Sequence, residues 1–128
     1  MKKAVFFDID GTLIDAAHGK PFMSPAVREA VRELQRQGHL TFIATGRPYA
    51  FLNEEIRSFG FDGFVLMNGA AVLLGDQLIY SKAMRPEVVQ PVCAACEAHG
   101  IEYILHGIRE VYLPEAYQHL RDFYESFH

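Results

Sequence analysis

The residues best able to do chemistry stand near the start of this chain. An apolar, β-rich run, Ala4-Val5-Phe6-Phe7, ends in Asp8-Ile9-Asp10, and Gly11-Thr12-Leu13 follow at once. In an open α/β sheet, ligands bind at the carboxyl ends of strands, and Asp8 and Asp10 fall at such an end. Side chains alternate along a strand, so the two carboxylates share a face if the strand runs that far. Gly11 lets the backbone turn away through dihedrals that a side chain disfavours. Two carboxylates at one strand tip repel unless a cation neutralises them. A hard divalent ion such as Mg2+, which takes oxygen ligands, suits that place. One carboxylate could then act as a nucleophile and the other as a proton carrier. The plainer alternative is that one aspartate simply caps a turn.

Two further strand ends carry polar groups. The apolar run over 40–44 leads into Thr45-Gly46-Arg47-Pro48, and the run over 64–67 leads into Asn68-Gly69-Ala70. Thr45 offers a hydroxyl and a backbone donor, or is an ordinary strand-end threonine. Gly46 permits a turn. Arg47 has the planar fork that suits phosphate, or is a solvated surface charge. Asn68 either hydrogen-bonds a substrate or caps its turn.

With these residues in view, Asp8-Ile9-Asp10-Gly11-Thr12-Leu13 resembles the first signature of the haloacid dehalogenase superfamily of phosphohydrolases. Thr45-Gly46-Arg47-Pro48 resembles the second motif, whose Thr or Ser holds the transferred phosphoryl group, and Asn68-Gly69-Ala70 resembles the Asn-Gly-Ala of the Cof-type branch. The resemblance implies an α/β fold: the start of a Rossmann-like parallel sheet over 1–70, then the first part of an inserted α+β cap over 71–128. It implies an Mg2+-dependent phosphatase that works through an aspartyl-phosphate. Asp8 would be the nucleophile, Asp10 the acid–base group, and the metal would take a carboxylate oxygen of Asp8 and the backbone carbonyl of Asp10. Gly11, Thr45, Gly46, Arg47 and Asn68 would surround the phosphate, and N–H groups of residues 9–11 could cradle it. The substrate would be a small phosphorylated metabolite, such as a sugar phosphate, chosen by the cap.

The elements that must position these residues are readable from periodicity. Residues 3–7, 40–44 and 64–67 read as strands. Ser24-Pro25 reads as an N-cap with proline at the first helical position, and Val27, Ala30, Val31 and Leu34 recur at helical spacing until Gly38. A second helix is expected over 48–58. This β-α-β-α-β order implies parallel strands with right-handed crossovers. Residues 71–74 and 77–80 around Gly75-Asp76 read as a hairpin. A helix follows from Pro86 to about His99, then strands over 101–105 and 108–113, then a helical stretch after Pro114 with Leu120, Phe123 and Phe127.

Composition excludes several classes. The net charge is −4 and no run of Lys or Arg collects on one segment, which argues against a nucleic-acid surface. Lys2-Lys3 makes a poor signal-peptide start and Asp8 interrupts the apolar run behind it, so neither leader nor membrane span is expected and a cytoplasmic location is. Cys93 and Cys96 lie three apart on a helix, with His99 near, but lack the second ligand pair of a structural zinc site and read as packing residues. His18 and His106 stand in loops, where they could face a substrate or only solvent.

Two other readings compete. A two-component receiver domain shares the doubly wound sheet and early acidic pair, yet its phospho-accepting Asp belongs at the third strand tip, where Met67-Asn68 stands. A non-catalytic remnant or fragment is the other. The family's third motif is a lysine and its fourth a late acidic cluster. Past Asn68, Lys82 lacks the expected setting and no Gly-Asp-x-x-Asn-Asp-like run occurs. Completion of the core by a second chain, or by a C-terminal part beyond His128, is therefore expected.

Overall fold

In the computed structural model, which describes residues 1–125, the first half of the chain folds as the spacing predicts. Strand β1 (Ala4–Phe7) leads to helix α1 (Pro25–Arg36), then strand β2 (Leu40–Ala44), helix α2 (Glu54–Ser58) and strand β3 (Gly63–Leu66). The Ser24 hydroxyl accepts the Val27 N–H, Pro25 occupies the first turn, and Gly38 takes the left-handed conformation (φ 80°) just past the helix. β1, β2 and β3 pair in parallel, Phe7 level with Ile43 and Ala44 level with Val65. Their carboxyl ends thus meet at one edge of the sheet.

The sheet does not stop there. Strands β4 (Ala71–Leu74) and β5 (Gln77–Ser81) form the expected hairpin, and β4 pairs antiparallel with β3, giving one five-stranded sheet in the order β1-β2-β3-β4-β5. The expected division at 70/71 falls inside this sheet. The remaining elements are helix α3 (Pro86–Ala98), strands β6 (Leu105–His106) and β7 (Val111–Tyr112), and helix α4 (Gln118–Glu125). Both late strands are shorter than their apolar runs suggest: they pair only with each other, through two residue pairs. Phe127 lies outside the described residues.

The expected helix over 48–58 divides in two. A single 3-10 turn (Tyr49–Phe51) gives way to extended backbone at Leu52 (ψ 128°), and Asn53 then starts α2 afresh by accepting the Ile56 N–H on its side chain. An asparagine followed by two glutamates is a stronger helix start than a helix interior, because carboxylates favour the positive end of the helix dipole.

The core gathers between α1, α2 and the sheet: Ile9, Leu13, Ile14, Met23, Val31, Ile43, Leu52, Ile56, Phe59, Phe61, Phe64, Leu66, Ala71 and Leu73 are buried. β1, by contrast, is an edge strand paired on β2 alone, and Phe6 remains 55% exposed while stacking on Phe42. No helix among the described residues is long and apolar enough to cross a membrane.

β3 depends on a missing side chain. A Cβ on Gly63 would lie 2.3 Å from the Leu73 carbonyl oxygen and 3.2 Å from the Phe42 ring. Leu73 belongs to the neighbouring strand, so its carbonyl cannot move alone. We predict that Gly63→Ala destabilises the protein by about 1–3 kcal/mol, read from the urea unfolding midpoint. An unchanged midpoint would show that β3 and β4 can separate freely.

Candidate active site

Asp8 is the first residue beyond β1, Thr45 the first beyond β2, and Asn68 follows β3 by two residues. Because the three strands are parallel and in register, these residues come to one edge. Asp8, Ala44, Thr45, Gly46, Val65, Asn68 and Gly69 line a single open cleft of about 440 Å³. Three motifs spread over sixty residues thus become one site.

The local backbone is built for display. β1 ends at Phe7, so Asp8 and Asp10 do not alternate along one continuous strand, and the shared face expected from the spacing does not arise that way. Instead the chain wraps around the Ile9 carbonyl, which accepts N–H bonds from Thr12, Leu13 and Ile14, while Gly11 (φ 78°) donates to the Ile14 carbonyl at 2.8 Å. Ile9 is buried under this turn and leaves Asp8 and Asp10 exposed on either side. The Ile9 N–H donates to Asp8 Oδ1 at 2.8 Å. Of the three N–H groups considered as a phosphate cradle, those of Ile9 and Gly11 are therefore engaged internally.

Thr45 is 7% exposed; its N–H donates to the Val65 carbonyl and its hydroxyl accepts the Arg47 N–H at 3.2 Å. Asn68 donates its N–H to the Thr45 carbonyl, and its side-chain oxygen would lie 3.2 Å from a Cβ placed on Gly46. Gly46 therefore provides the room in which the Asn68 amide reaches toward Thr45. Met67 and Asn68 both hold positive φ, 51° and 54°, an arrangement that is strained for methionine. The Met67 N–H donates to the Arg47 carbonyl, one of the contacts that tie this turn to the second motif. Gly69, not among the residues expected to surround the phosphate, also lines the cleft. Its signal was the Asn-Gly dipeptide itself, a turn former.

Arg47 pairs with Asp10. Its Nε donates to Asp10 Oδ2 at 2.8 Å and its Nη2 to Asp10 Oδ1 at 2.6 Å, while Nη1 donates to the Phe51 carbonyl at 3.0 Å. The Phe51 ring in turn stacks on Tyr124 and meets His106 edge-on. Asp10 and Arg47 are both absent from the cleft wall formed by Asp8, Thr45 and Asn68.

The two histidines expected in loops stand instead in a 3-10 turn (His18) and in β6 (His106), and neither lines the cleft. His18 bonds Asp15 Oδ1 at 2.8 Å, and that hydrogen bond, with the aspartate's charge, raises the imidazole above its ordinary range. Desolvation lowers His106 below it. Cys93 and Cys96 are free and half-buried on α3, and among the described residues no group of three or more His, Cys, Asp or Glu side chains is placed to hold a metal.

Comparison with known proteins finds relatives in sequence and in fold. A family model for haloacid dehalogenase-like hydrolases matches residues 5–128. The Bacillus subtilis (strain 168) protein YkrA is 36% identical over 88 residues, covering 69% of this chain and 33% of its own. Among solved structures, the HAD subclass IIB sugar phosphatase BT4131 superposes with a TM-score of 0.84 at 32% identity, over 99% of this chain and 50% of that one. A protein from Geobacillus kaustophilus HTA426 superposes with a TM-score of 0.82 at 30% identity, over 98% and 48%. The chain spans about half the length of these solved relatives and a third of YkrA.

The left-handed turn yields a test. Asn68→Gly, which suits φ 54°, should leave the unfolding midpoint within about 0.5 kcal/mol of the parent. Asn68→Val should cost about 1–2 kcal/mol, because a β-branched side chain resists that conformation. Equal stability of the two variants in thermal unfolding would contradict the strain assigned to this turn. The fold, the gathering of its motifs at one edge and the match over residues 5–128 place the chain in the haloacid dehalogenase-like hydrolase family.

Proposed function

We propose that this chain carries the nucleophile-bearing part of a phosphatase that hydrolyses small phosphate monoesters, sugar phosphates first among them. The observation that carries the reading is the single cleft holding Asp8, Thr45 and Asn68 at three aligned strand ends. The sugar-phosphate class rests on the likeness to BT4131, itself described as a sugar phosphatase.

In this reading Asp8 is the attacking group. It is exposed at the cleft, and the Ile9 N–H fixes one carboxylate oxygen at 2.8 Å, so the other is free to attack. That oxygen forms a bond to phosphorus as the ester P–O bond breaks, and the electron pair leaves on the ester oxygen. Asp10, protonated when the substrate binds, gives its proton to that oxygen, releasing an alcohol, and the Arg47 guanidinium holds the carboxylate that remains. Water then attacks phosphorus, Asp10 takes the water's proton, and the Asp8–phosphorus bond breaks to release inorganic phosphate. Splitting hydrolysis in this way replaces one hard step by two easier ones. Thr45 and the Asn68 amide hold the phosphoryl oxygens, since phosphoryl transfer is governed chiefly by position and charge.

The donors at this end of β1 are all oxygen, which fits Mg2+ better than a soft metal. The Asp8 carboxylate and the Asp10 main-chain carbonyl are the groups that would hold it. When bound, the ion would neutralise phosphate charge. The remaining ligands would be water and other oxygen groups.

The open edge of β1 supports a second part of the reading. An edge strand offering Ala4-Val5-Phe6-Phe7 with Phe6 half exposed readily takes up another strand. We propose that a further strand covers that edge in the working enzyme.

Two outcomes follow. Asp8→Asn keeps the shape of the side chain but removes the attacking charge, so turnover of sugar phosphates with Mg2+ should fall on the order of ten-thousandfold or more while the circular dichroism stays unchanged. Undiminished turnover in that variant would end the assignment. Residues 1–128 purified alone should associate or precipitate in sedimentation experiments and turn over slowly or not at all. A soluble monomer with ordinary enzymatic rates would show that the β1 edge needs no cover.

A further inference from the structure

We propose that Arg47 is a positioning residue for Asp10 and does not itself bind the substrate's phosphate. This rests on the phosphatase reading above and goes beyond it, because the fork of an arginine near a phosphate site invites the opposite assignment.

The geometry points one way. An arginine recognises a phosphate with two parallel N–H groups along one edge of its guanidinium. In Arg47 the Nε–Nη2 edge is already filled by both oxygens of Asp10, at 2.8 and 2.6 Å. Nη1 also donates, to the Phe51 carbonyl at 3.0 Å. The side chain is only 22% exposed, so it has little freedom to turn elsewhere. The cleft that gathers Asp8, Thr45 and Asn68 has neither Arg47 nor Asp10 on its wall. The main chain of Arg47 is engaged as well: its N–H goes to the Thr45 hydroxyl and its carbonyl accepts the Met67 N–H. The residue is thereby tied to all three motifs and holds both oxygens of the Asp10 carboxylate, itself 52% exposed. In the proposed reaction that carboxyl group serves the departing ester oxygen.

A residue acting through Asp10 has a distinct kinetic signature. Proton donation matters for a poor leaving group such as an alkoxide and little for p-nitrophenolate. Losing the orientation of Asp10 should therefore lower kcat on alkyl phosphates and spare p-nitrophenyl phosphate. Losing a phosphate contact should raise KM on both alike.

The test is a cycle of Arg47→Ala, Asp10→Asn and the double variant in the protein at its native full length, with Mg2+, assayed on p-nitrophenyl phosphate and a hexose phosphate. Inorganic phosphate serves as a competitive inhibitor in each. Arg47→Ala should reduce kcat on the hexose phosphate about tenfold to a hundredfold and change it less than about threefold on p-nitrophenyl phosphate. Inhibition by inorganic phosphate should be unchanged. In the Asp10→Asn background the same substitution should add nothing, since residues acting as one unit are not additive. Arg47→Lys should resemble Arg47→Ala, because a point charge cannot hold both carboxylate oxygens. Weaker inhibition by phosphate, losses that multiply in the double variant, equal losses on the two substrates, or full rescue by lysine would each overturn the proposal. An absence of turnover in the unsubstituted protein would instead overturn the phosphatase reading, and is told apart by needing no variant at all.

Discussion

Everything at this site depends on the parallel register of three short strands. Phe7 is level with Ile43, and Ala44 with Val65, so Asp8, Thr45 and the turn at Met67-Asn68 leave the sheet at the same height. Parallel strands need crossover connections, and α1 and α2 supply them while burying Val31 and Ile56 against the sheet. A slip of one residue in β2 would turn Thr45 and its neighbours to the opposite face. Buried Ile43 and Thr41, alternating with half-buried Leu40, Phe42 and Ala44, make such a slip costly. Position, rather than any unusual residue, is what this fold provides.

Charge is the second constraint. Two aspartates around one isoleucine require a nearby cation, and the chain provides one for Asp10 in Arg47, thirty-seven residues later. That leaves Asp8 as the carboxylate open to the cleft. The two carboxylates differ in their partners: Asp8 is held by a backbone N–H and Asp10 by a guanidinium. Three of the five guanidinium hydrogens are accounted for before any substrate arrives.

Much of this was legible in the sequence wherever the signal was local. Ser24, Pro25 and Gly38 mark the ends of α1 by their own conformational preferences, and the hairpin at Gly75-Asp76 follows from turn chemistry. Asn53 was equally local but was hidden by the apolar spacing of Phe51, Leu52 and Ile56, which imitates one long helix; its side-chain cap decides for two. Long-range facts were beyond reach. That β4 continues the core sheet depends on pairing with β3, which periodicity does not encode. The Asp10–Arg47 pair depends on β1 and β2 ending together, and each residue alone reads equally well as solvated. The left-handed Met67 had no signal, since methionine is not a residue that favours that conformation.

The central claim is that Asp8 is where phosphorus becomes bonded to the protein. Beryllium fluoride with Mg2+ mimics a phosphoryl group on a carboxylate, and a crystal structure of the protein at its native full length, soaked in it, tests the claim directly. Density should be continuous with Asp8 Oδ2 and lie within hydrogen-bond reach of the Thr45 hydroxyl and the Asn68 amide. An adduct on Asp10 or on another side chain, or a beryllium fluoride group bound by Arg47 and not by Asp8, would contradict it.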